Sequence, residues 1–306
     1  MPPLTTLLVQ ESELRMIKLF ASDLDGTLLN LRHDVDETIR RSLREVIASG
    51  AHFACATGRA MRTNHAFGFE GIACEAVCSN GSIVLGRAGE VLHHELLDLG
   101  FIESLLKEFP DVSFDFTAVE HGRVRSLVRG SFEEHEQQMR VPNPVLRTIM
   151  KGMRTPIDRT GEQFEYGVSP ERVLGSEPCK MNCRVPNETR RLELENFIAS
   201  WSHAVVNAPF NPSMFEVTSC GVNKGAAVLW LAEHVGADPS EVAVYGDGGN
   251  DLDMLRCFAP YGHAYAPLGA SGLAKEAASE VIGPCALHAV AHHMVRTVRA
   301  QGPAGA

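Results

Sequence analysis

The chain has 306 residues, 44% of them hydrophobic, and a formal net charge of −10 at pH 7. This length suits one large domain or two of moderate size. The negative charge argues against nucleic acid or an anionic membrane surface as a partner. No apolar run reaches the roughly eighteen residues that a membrane span requires.

The N-terminal segment and the cysteines both favour a cytoplasmic protein. Residues 1–15 lack a basic stretch followed by a hydrophobic core, so they do not match a signal peptide. We interpret them as a disordered extension, with Met16 as an alternative start. The eight cysteines are scattered, and their spacings differ from those of zinc sites. We therefore expect reduced, packed thiols in the cytoplasm.

The first part of the chain alternates strands and helices. Three apolar segments predict buried strands: 16–21, 52–56 and 73–78. The helix after the first strand is expected to begin at a capping box formed by Asp34 and Glu37 and to end at Gly50. All three strands end in small polar residues, which is typical of a parallel sheet with a site at one edge.

The pattern changes near Gly86 and returns near residue 220. Between them, strands and helices occur in mixed order, which predicts an inserted α+β domain at 86–219. Residues 16–85 and 220–290 are expected to form one α/β core with a doubly wound parallel sheet. Residues 291–306 are expected to be the end of a C-terminal helix and a tail.

Two carboxylates follow the first predicted strand. Asp23 and Asp25 are two positions apart, so in extended chain they share a face. Like charges this close require a cation or a proton between them. Gly26 permits a tight turn after the pair. A bare pair of this kind also suits an ordinary acidic turn, so further residues must support a functional interpretation.

Polar residues later in the chain could complete a phosphate and metal site. Asp247 and Asp251 follow another buried strand, and carboxylate oxygens are ligands that Mg²⁺ prefers. Lys224 begins a predicted helix, where a cation opposes the helix dipole unless an anion lies nearby. Thr57 and the backbone of Gly58 can donate hydrogen bonds to a phosphate. Each residue also has a plain alternative: a solvated lysine, a strand-end hydroxyl or a helix-capping aspartate.

Each of these residues alone is weak evidence for a phosphate and metal site, but the order of four segments along the chain is strong evidence. DLDGT at 23–27, ATGR at 56–59, NKG at 223–225 and GDGGND at 246–251 resemble the four motifs of the haloacid dehalogenase superfamily. Thr57 follows Asp23 by only 34 positions, whereas Lys224 follows Thr57 by 167. An insertion after the second motif resembles the Cof-type sugar-phosphatase branch, whose inserted domain is a late cap over the core.

The resemblance implies a role for each matching residue. Asp23 is expected to be the nucleophile, Asp25 the general acid/base and Lys224 a catalytic cation. The expected phosphate-binding residues are Thr57, Gly58, Lys224 and Asn250. The expected Mg²⁺ ligands are Asp23, the backbone carbonyl of Asp25, and Asp247, with Asp251 acting through a metal-bound water. The implied reaction is hydrolysis of a small phosphate monoester, with Mg²⁺ as cofactor, through an aspartyl phosphate.

Other functions remain open at this point. A phosphomutase of the same superfamily shares the aspartyl phosphate, and a phosphoacceptor or binding protein could share the fold without the catalysis. A dehalogenase would not need Asp25. In the inserted domain, Arg123, Arg125 and Arg129 could contact substrate or could simply form a charged edge strand.

Overall fold

The computed structural model of the chain describes residues 16–30, 33–61, 68–139, 164–209 and 214–302. The extension predicted at 1–15 lies outside these ranges. The described strands are β1 (Leu19–Ser22), β2 (His52–Ala56), β3 (Glu75–Cys78), β4 (Ile83–Leu85), β5 (Val91–His94), β6 (Phe114–Glu120), β7 (Arg123–Arg129), β8 (Phe164–Tyr166), β9 (Glu177–Cys183), β10 (Val205–Asn207), β11 (Phe215–Ser219), β12 (Val242–Tyr245), β13 (Ala264–Pro267) and β14 (Glu280–Ile282). The described α-helices are α1 (Glu37–Ala48), α2 (Leu99–Glu108), α3 (Phe132–Met139), α4 (Pro170–Leu174), α5 (Glu188–Ser200), α6 (Lys224–His234), α7 (Leu252–Phe258), α8 (Gly272–Ala277) and α9 (Ala289–Gln301).

The first sheet has eight strands in the order β14-β13-β12-β1-β2-β3-β4-β5. The six strands from β14 to β3 run parallel, and β4 and β5 are antiparallel to their neighbours. The chain builds outward from β1 through β2 and β3, then returns to the other side of β1 with β12. The strand order therefore reverses beside β1, where the carboxyl ends of an open α/β sheet leave a crevice for ligands.

Helices cover both faces of this sheet. Successive residues of β1 pack against helices on opposite faces of the sheet. Phe20 packs on the side of α1 and α9, whereas Leu19 and Ala21 pack on the side of α6 and α7. Strands buried on both faces read as continuous apolar runs, which is why the sequence shows no polar alternation here. The prediction of a doubly wound α/β sheet is confirmed.

The second sheet has six strands in the order β10-β11-β9-β6-β7-β8. All its pairs are antiparallel except β7 with β8. One face forms an apolar core with α2, α4 and α5. Part of the other face is polar and lines a cavity together with Asp23, Asp25 and Thr57, so the second sheet lies over the predicted site.

Two expectations need correction. The first sheet continues through β5, beyond the boundary we placed at Gly86, so its edge extends to His94. The division into a core and an inserted domain otherwise stays a prediction. The helix α1 begins one residue after Asp36, whose side chain accepts hydrogen bonds from the Thr38 and Ile39 N–H groups. The capping box expected at Asp34 is wrong by two positions.

Candidate active site

The predicted site residues meet at the carboxyl edge of the first sheet. Asp23 follows β1, Thr57 follows β2 and Asp247 lies two residues after β12. A hydrogen bond from the Asp23 N–H to the Tyr245 carbonyl, 2.9 Å long, continues the pairing between β1 and β12. Because β1 and β12 are adjacent parallel strands, Asp23 and Asp247 lie close together although they are more than 200 positions apart in the sequence.

The turn after β1 brings the two motifs into direct contact. Gly26 has a φ of +84°, and a Cβ added there would lie 2.4 Å from Asp247 Oδ2. Only glycine fits both the backbone conformation and this close approach. The Thr27 hydroxyl donates a 2.9 Å hydrogen bond to Asp247 Oδ1. The turn therefore fixes the Asp247 carboxylate beside Asp23.

Three carboxylates surround one buried lysine. Asp23, Asp247 and Asp251 each offer an oxygen, and these oxygens lie within 4.8 Å of one another. The Lys224 Nζ donates to Asp23 Oδ1 at 2.6 Å and to Asp251 Oδ1 at 2.7 Å. Lys224 and Asp251 are both fully buried. Lys224 is thus tied to carboxylates, whereas the sequence suggested a lysine directed mainly at phosphate.

The charge of this cluster fits a divalent cation. When all three carboxylates are ionised, they outnumber the single ammonium and leave two negative charges in the cluster. Burial, together with the nearby Asp251 and Asp247 carboxylates, raises the pKa of Asp23 against the opposing effect of Lys224. Burial and Asp251 also raise the pKa of Asp247. The donors are all hard oxygen atoms, the kind that Mg²⁺ selects.

Asp251 has a different environment from the other two acids. Its Oδ2 accepts hydrogen bonds from the Asp247 N–H at 3.0 Å and the Gly248 N–H at 2.9 Å, while its Oδ1 accepts from Lys224. Both oxygens are therefore engaged in shaping the loop and holding the lysine. The indirect role expected for Asp251 at a metal stays a prediction.

The Asp25 carboxylate does not join this cluster. Arg59 donates two hydrogen bonds to it, and the His33 ring nitrogen Nδ1 lies 2.9 Å away. Asp25 and Asp23 still line the same cavity. The expectation that extended chain joins the two acids is wrong, because Leu24, which lies between them, has helical backbone angles.

Three of the four predicted phosphate-binding residues line the cavity beside Asp23, whereas Lys224 is buried behind it. The buried Thr57 hydroxyl accepts a 3.2 Å hydrogen bond from the Arg59 N–H. Gly58 approaches Asn80 so closely that an added Cβ would lie 2.8 Å from its Oδ1. Asn250 donates a 3.3 Å hydrogen bond to the same Asn80 oxygen. The structure brings Thr57, Gly58 and Asn250 together, and their binding of phosphate stays a prediction.

The second sheet closes the cavity, which measures about 430 Å³. Its lining includes Asp115, Ser126, Lys180, Asn182 and Glu216 from the polar face of that sheet. The sequence does not single out any of the five, because they are ordinary strand residues without a motif. The arginines proposed as substrate contacts do not line the cavity: Arg123 and Arg125 point to solvent.

Two contacts join the second sheet to the first across the cavity rim. The Lys180 Nζ donates to the Gly58 carbonyl at 2.8 Å and to Glu216 at 2.5 Å. Asn80 donates a 3.3 Å hydrogen bond to Glu216. The sequence predicts no role for Arg59 or Asn80, although Arg59 ends the second motif and Asn80 lies two residues after the third predicted strand.

Comparison with known proteins places this site in a family. The chain is 27% identical over 259 residues to an Arabidopsis thaliana protein named Endoribonuclease YBEY, chloroplastic, and spans only 39% of its length. It is 26% identical over 288 residues to an HMP-PP phosphatase from Cronobacter sakazakii, covering 91% of this chain and 95% of that protein.

None of the described helices combines the length and apolar character needed to cross a membrane.

Structural similarity and a family profile agree. A haloacid dehalogenase-like hydrolase from B. subtilis superposes with a TM-score of 0.72 and 23% identity, over 90% of this chain and 98% of that one. This likeness shows the fold. The profile of haloacid dehalogenase-like hydrolases matches residues 20–294, which include all four predicted motifs and both sheets. The chain therefore belongs to the haloacid dehalogenase-like hydrolase family.

Proposed function

We propose that this chain is a cytoplasmic, Mg²⁺-dependent phosphatase that hydrolyses a small phosphate monoester through an aspartyl phosphate on Asp23. One observation carries the proposal: Asp23 lies at the end of the central strand, between Lys224 and Asp247, and opens into a cavity that Asp25 also lines. A carboxylate nucleophile, a second carboxyl group and a cation are the groups that a two-step phosphoryl transfer requires.

The family supports the class of reaction. The prediction that the protein is a hydrolase is confirmed, since the chain belongs to a family of hydrolases. A relative covering nearly the whole chain carries the name HMP-PP phosphatase. This name supports a phosphate ester as substrate here. All eight cysteines are free thiols, which supports the proposed cytoplasmic location.

In the first step, a carboxylate oxygen of Asp23 attacks the phosphorus atom of the ester. The bond between phosphorus and the ester oxygen breaks, and that oxygen takes a proton from the Asp25 carboxyl group. In this proposal, Thr57, the Gly58 N–H and Asn250 hold the phosphoryl oxygens, which is supported by their position on the cavity wall beside Asp23. Lys224 keeps the attacking carboxylate in position through its 2.6 Å hydrogen bond.

In the second step, water attacks the phosphorus atom of the aspartyl phosphate. The Asp25 carboxylate takes a proton from this water, and the bond between phosphorus and the Asp23 oxygen breaks. Inorganic phosphate leaves, and the Asp23 carboxylate is restored. Asp25 therefore acts first as acid and then as base, which returns the enzyme to its starting protonation state.

Mg²⁺ would be held by Asp23 and Asp247, with Asp251 and the Asp25 carbonyl as the predicted supporting groups. When bound, it offsets the negative charge of the cluster and polarises the phosphoryl group. The three carboxylates that lie together beside Lys224 are the observation that supports this assignment.

Phosphate release from a panel of phosphate esters, in Mg²⁺ and in EDTA, tests the proposal. We expect release that depends on Mg²⁺ and disappears in Asp23→Asn, which removes one charge at nearly constant volume. A phosphomutase would instead convert one sugar phosphate into its isomer with little release. A phosphate-binding protein would bind the ester without either change, so these three outcomes separate the candidate functions.

A further inference from the structure

His33 is the one histidine among the described residues that line the cavity. Its ring nitrogen Nδ1 lies 2.9 Å from Oδ1 of Asp25, the carboxyl group that the proposed reaction uses as acid and base. The His33 side chain is 46% exposed, so it is not held in place by deep apolar burial. The contact with Asp25 is therefore the specific interaction that its ring makes.

The backbone at His33 has an uncommon conformation. Its φ of +55° lies in the left-handed region, which residues other than glycine adopt rarely and only where their surroundings hold them there. The Asn30 carbonyl accepts a 2.9 Å hydrogen bond from the His33 N–H, and Asn30 Oδ1 accepts a 3.2 Å hydrogen bond from the Asp34 N–H. The Asn30 amide also donates to Asp36, which caps α1. The turn that carries His33 is thus fastened to the first helix.

The two oxygens of the Asp25 carboxylate differ in their contacts. Oδ1 lies within hydrogen-bond distance of two groups, His33 Nδ1 at 2.9 Å and Arg59 Nη2 at 2.7 Å. Within the described part of the chain, Oδ2 accepts only from Arg59 Nε, at 2.8 Å. An ionised carboxylate only accepts hydrogen bonds, so Nδ1 carries the hydrogen in the contact with Oδ1. Since each carboxylate oxygen has about two acceptor positions, those of Oδ1 are both filled, and Oδ2 keeps one for a proton.

We propose that His33 is a positioning residue, which fills the second acceptor position of Asp25 Oδ1 and so reserves Oδ2 for proton exchange. This inference rests on the proposed phosphatase function and assigns its acid–base step to one atom. In the first step, Oδ2 gives its proton to the ester oxygen as the bond between that oxygen and phosphorus breaks. In the second step, Oδ2 takes a proton from the attacking water. His33 keeps its own hydrogen throughout and acts only through Asp25.

Two aryl phosphates separate proton donation from the rest of the reaction. Phenyl phosphate and 4-nitrophenyl phosphate share the ring and the phosphate group, but phenolate is the more basic leaving group and depends more on a proton from the acid. The ratio kcat/KM reports the first step, in which the leaving group departs. A general structural defect lowers kcat/KM for both esters alike, whereas a poorly directed acid lowers it mainly for phenyl phosphate.

Two variants at position 33 suit the left-handed backbone. His33→Gly removes the ring and tolerates positive φ. We expect kcat/KM to fall roughly tenfold for phenyl phosphate and less than about threefold for 4-nitrophenyl phosphate, since general acid catalysis as a whole contributes about 10²–10⁴-fold. His33→Asn also tolerates this backbone and supplies an amide N–H near the position of Nδ1. It should therefore restore most of the activity on phenyl phosphate that His33→Gly loses.

His121 provides the matched control. It is an exposed histidine with a φ of +50°, in the turn between β6 and β7, and it is not among the described residues that line the cavity. His121→Gly makes the same change in the same backbone region and should leave kcat/KM for both esters as in the wild type. Melting curves establish that each variant is folded before its rates are compared.

The possible outcomes separate this inference from the proposed function. Equal losses on both esters in His33→Gly, wild-type rates in that variant, or a His33→Asn variant as slow as His33→Gly overturns the role of His33 and leaves the phosphatase function intact. Absence of Mg²⁺-dependent phosphate release from both esters by the wild type contradicts the proposed function itself.

Discussion

Arg59 donates two hydrogen bonds to the Asp25 carboxylate, at 2.8 Å from Nε and 2.7 Å from Nη2. This bidentate geometry fixes both the position and the plane of the carboxylate. Asp25 is thus held by Arg59 on the wall of the cavity that Asp23 also lines. The two carboxylates of the first motif therefore have different partners: Asp23 pairs with Lys224, and Asp25 pairs with Arg59.

The arginine should therefore matter for catalysis more than for binding. We expect Arg59→Met to lower kcat by roughly ten- to a hundred-fold, a part of the about 10²–10⁴-fold that general acid–base catalysis provides. KM should change little. Steady-state kinetics measure both. Arg44→Met, which breaks an exposed ion pair on α1, is the matched control and should behave like the wild type.

A double-mutant cycle shows whether Arg59 acts through Asp25. In an Asp25→Asn background, the arginine has no carboxylate to orient, so adding Arg59→Met should cause little further loss of kcat. An equal loss in both backgrounds would mean that Arg59 contributes by another route.

Lys224 should be required for stability as well as activity. Its pKa, which burial alone would lower, is raised by the Asp23 and Asp251 carboxylates, so the charged form is strongly favoured. Lys224→Met leaves these buried carboxylates without their cation and should cost on the order of 3–5 kcal/mol of unfolding free energy. Urea unfolding measures this loss. Mg²⁺ should recover part of it, and a variant as stable as the wild type would contradict the assigned burial of charge.

Metal binding should depend on pH. The pKa values of Asp23 and Asp247 are raised, so protons compete with Mg²⁺ increasingly as pH falls. Without metal, the same shift makes the folded state favour the protonated carboxyl groups and lose stability as pH rises. We therefore expect Mg²⁺ to raise Tm more at about pH 8 than at about pH 5.5.

Asp247→Asn provides the control for that melting experiment. It removes one proposed ligand while keeping the side-chain volume, and most of the Mg²⁺-dependent rise in Tm should disappear. If the variant keeps the full rise, Asp247 is not a metal ligand.

Asp36 should stabilise the fold in a defined pH range. Burial alone would raise its pKa, but hydrogen bonds from Asn30, the Ile39 N–H and His288 outweigh burial and lower the pKa of Asp36 from 3.8 to about 2. The stabilisation is therefore present above pH 3.8 and lost as pH falls toward about 2. Asp36→Ala should cost about 1–2 kcal/mol at neutral pH. Unfolding of Asp34→Ala, at the position expected from the sequence, should show a smaller cost.

The sequence predicts the fold of the first sheet well, for a physical reason. Buried parallel strands are short apolar runs, and each one ends where the chain turns polar at the ligand edge. Asp23, Thr57 and Asp247 could be placed at that edge from this pattern alone. The end of the sheet could not, since β4 and β5 add to it as an antiparallel ribbon whose pairing no local pattern records.

The partners of the site residues were much harder to predict. Arg59 reaches Asp25 across 34 positions, and Lys180 reaches Gly58 across 122. Such contacts depend on how two sheets face each other, which periodicity does not encode. The polar wall of the cavity is a further example: Asp115, Asn182 and Glu216 form a row only because three strands pair in one particular register.

The most direct measurement of the central claim is to trap the covalent intermediate. The protein is mixed with excess 4-nitrophenyl phosphate and Mg²⁺, quenched in acid and reduced with borohydride, which converts an aspartyl phosphate into homoserine. Peptide mass spectrometry then locates the change. We predict homoserine at position 23 and nowhere else, with none in the absence of ester or in Asp23→Asn. Phosphate release at the wild-type rate by Asp23→Asn, or a reduced residue at any other aspartate, would contradict the account.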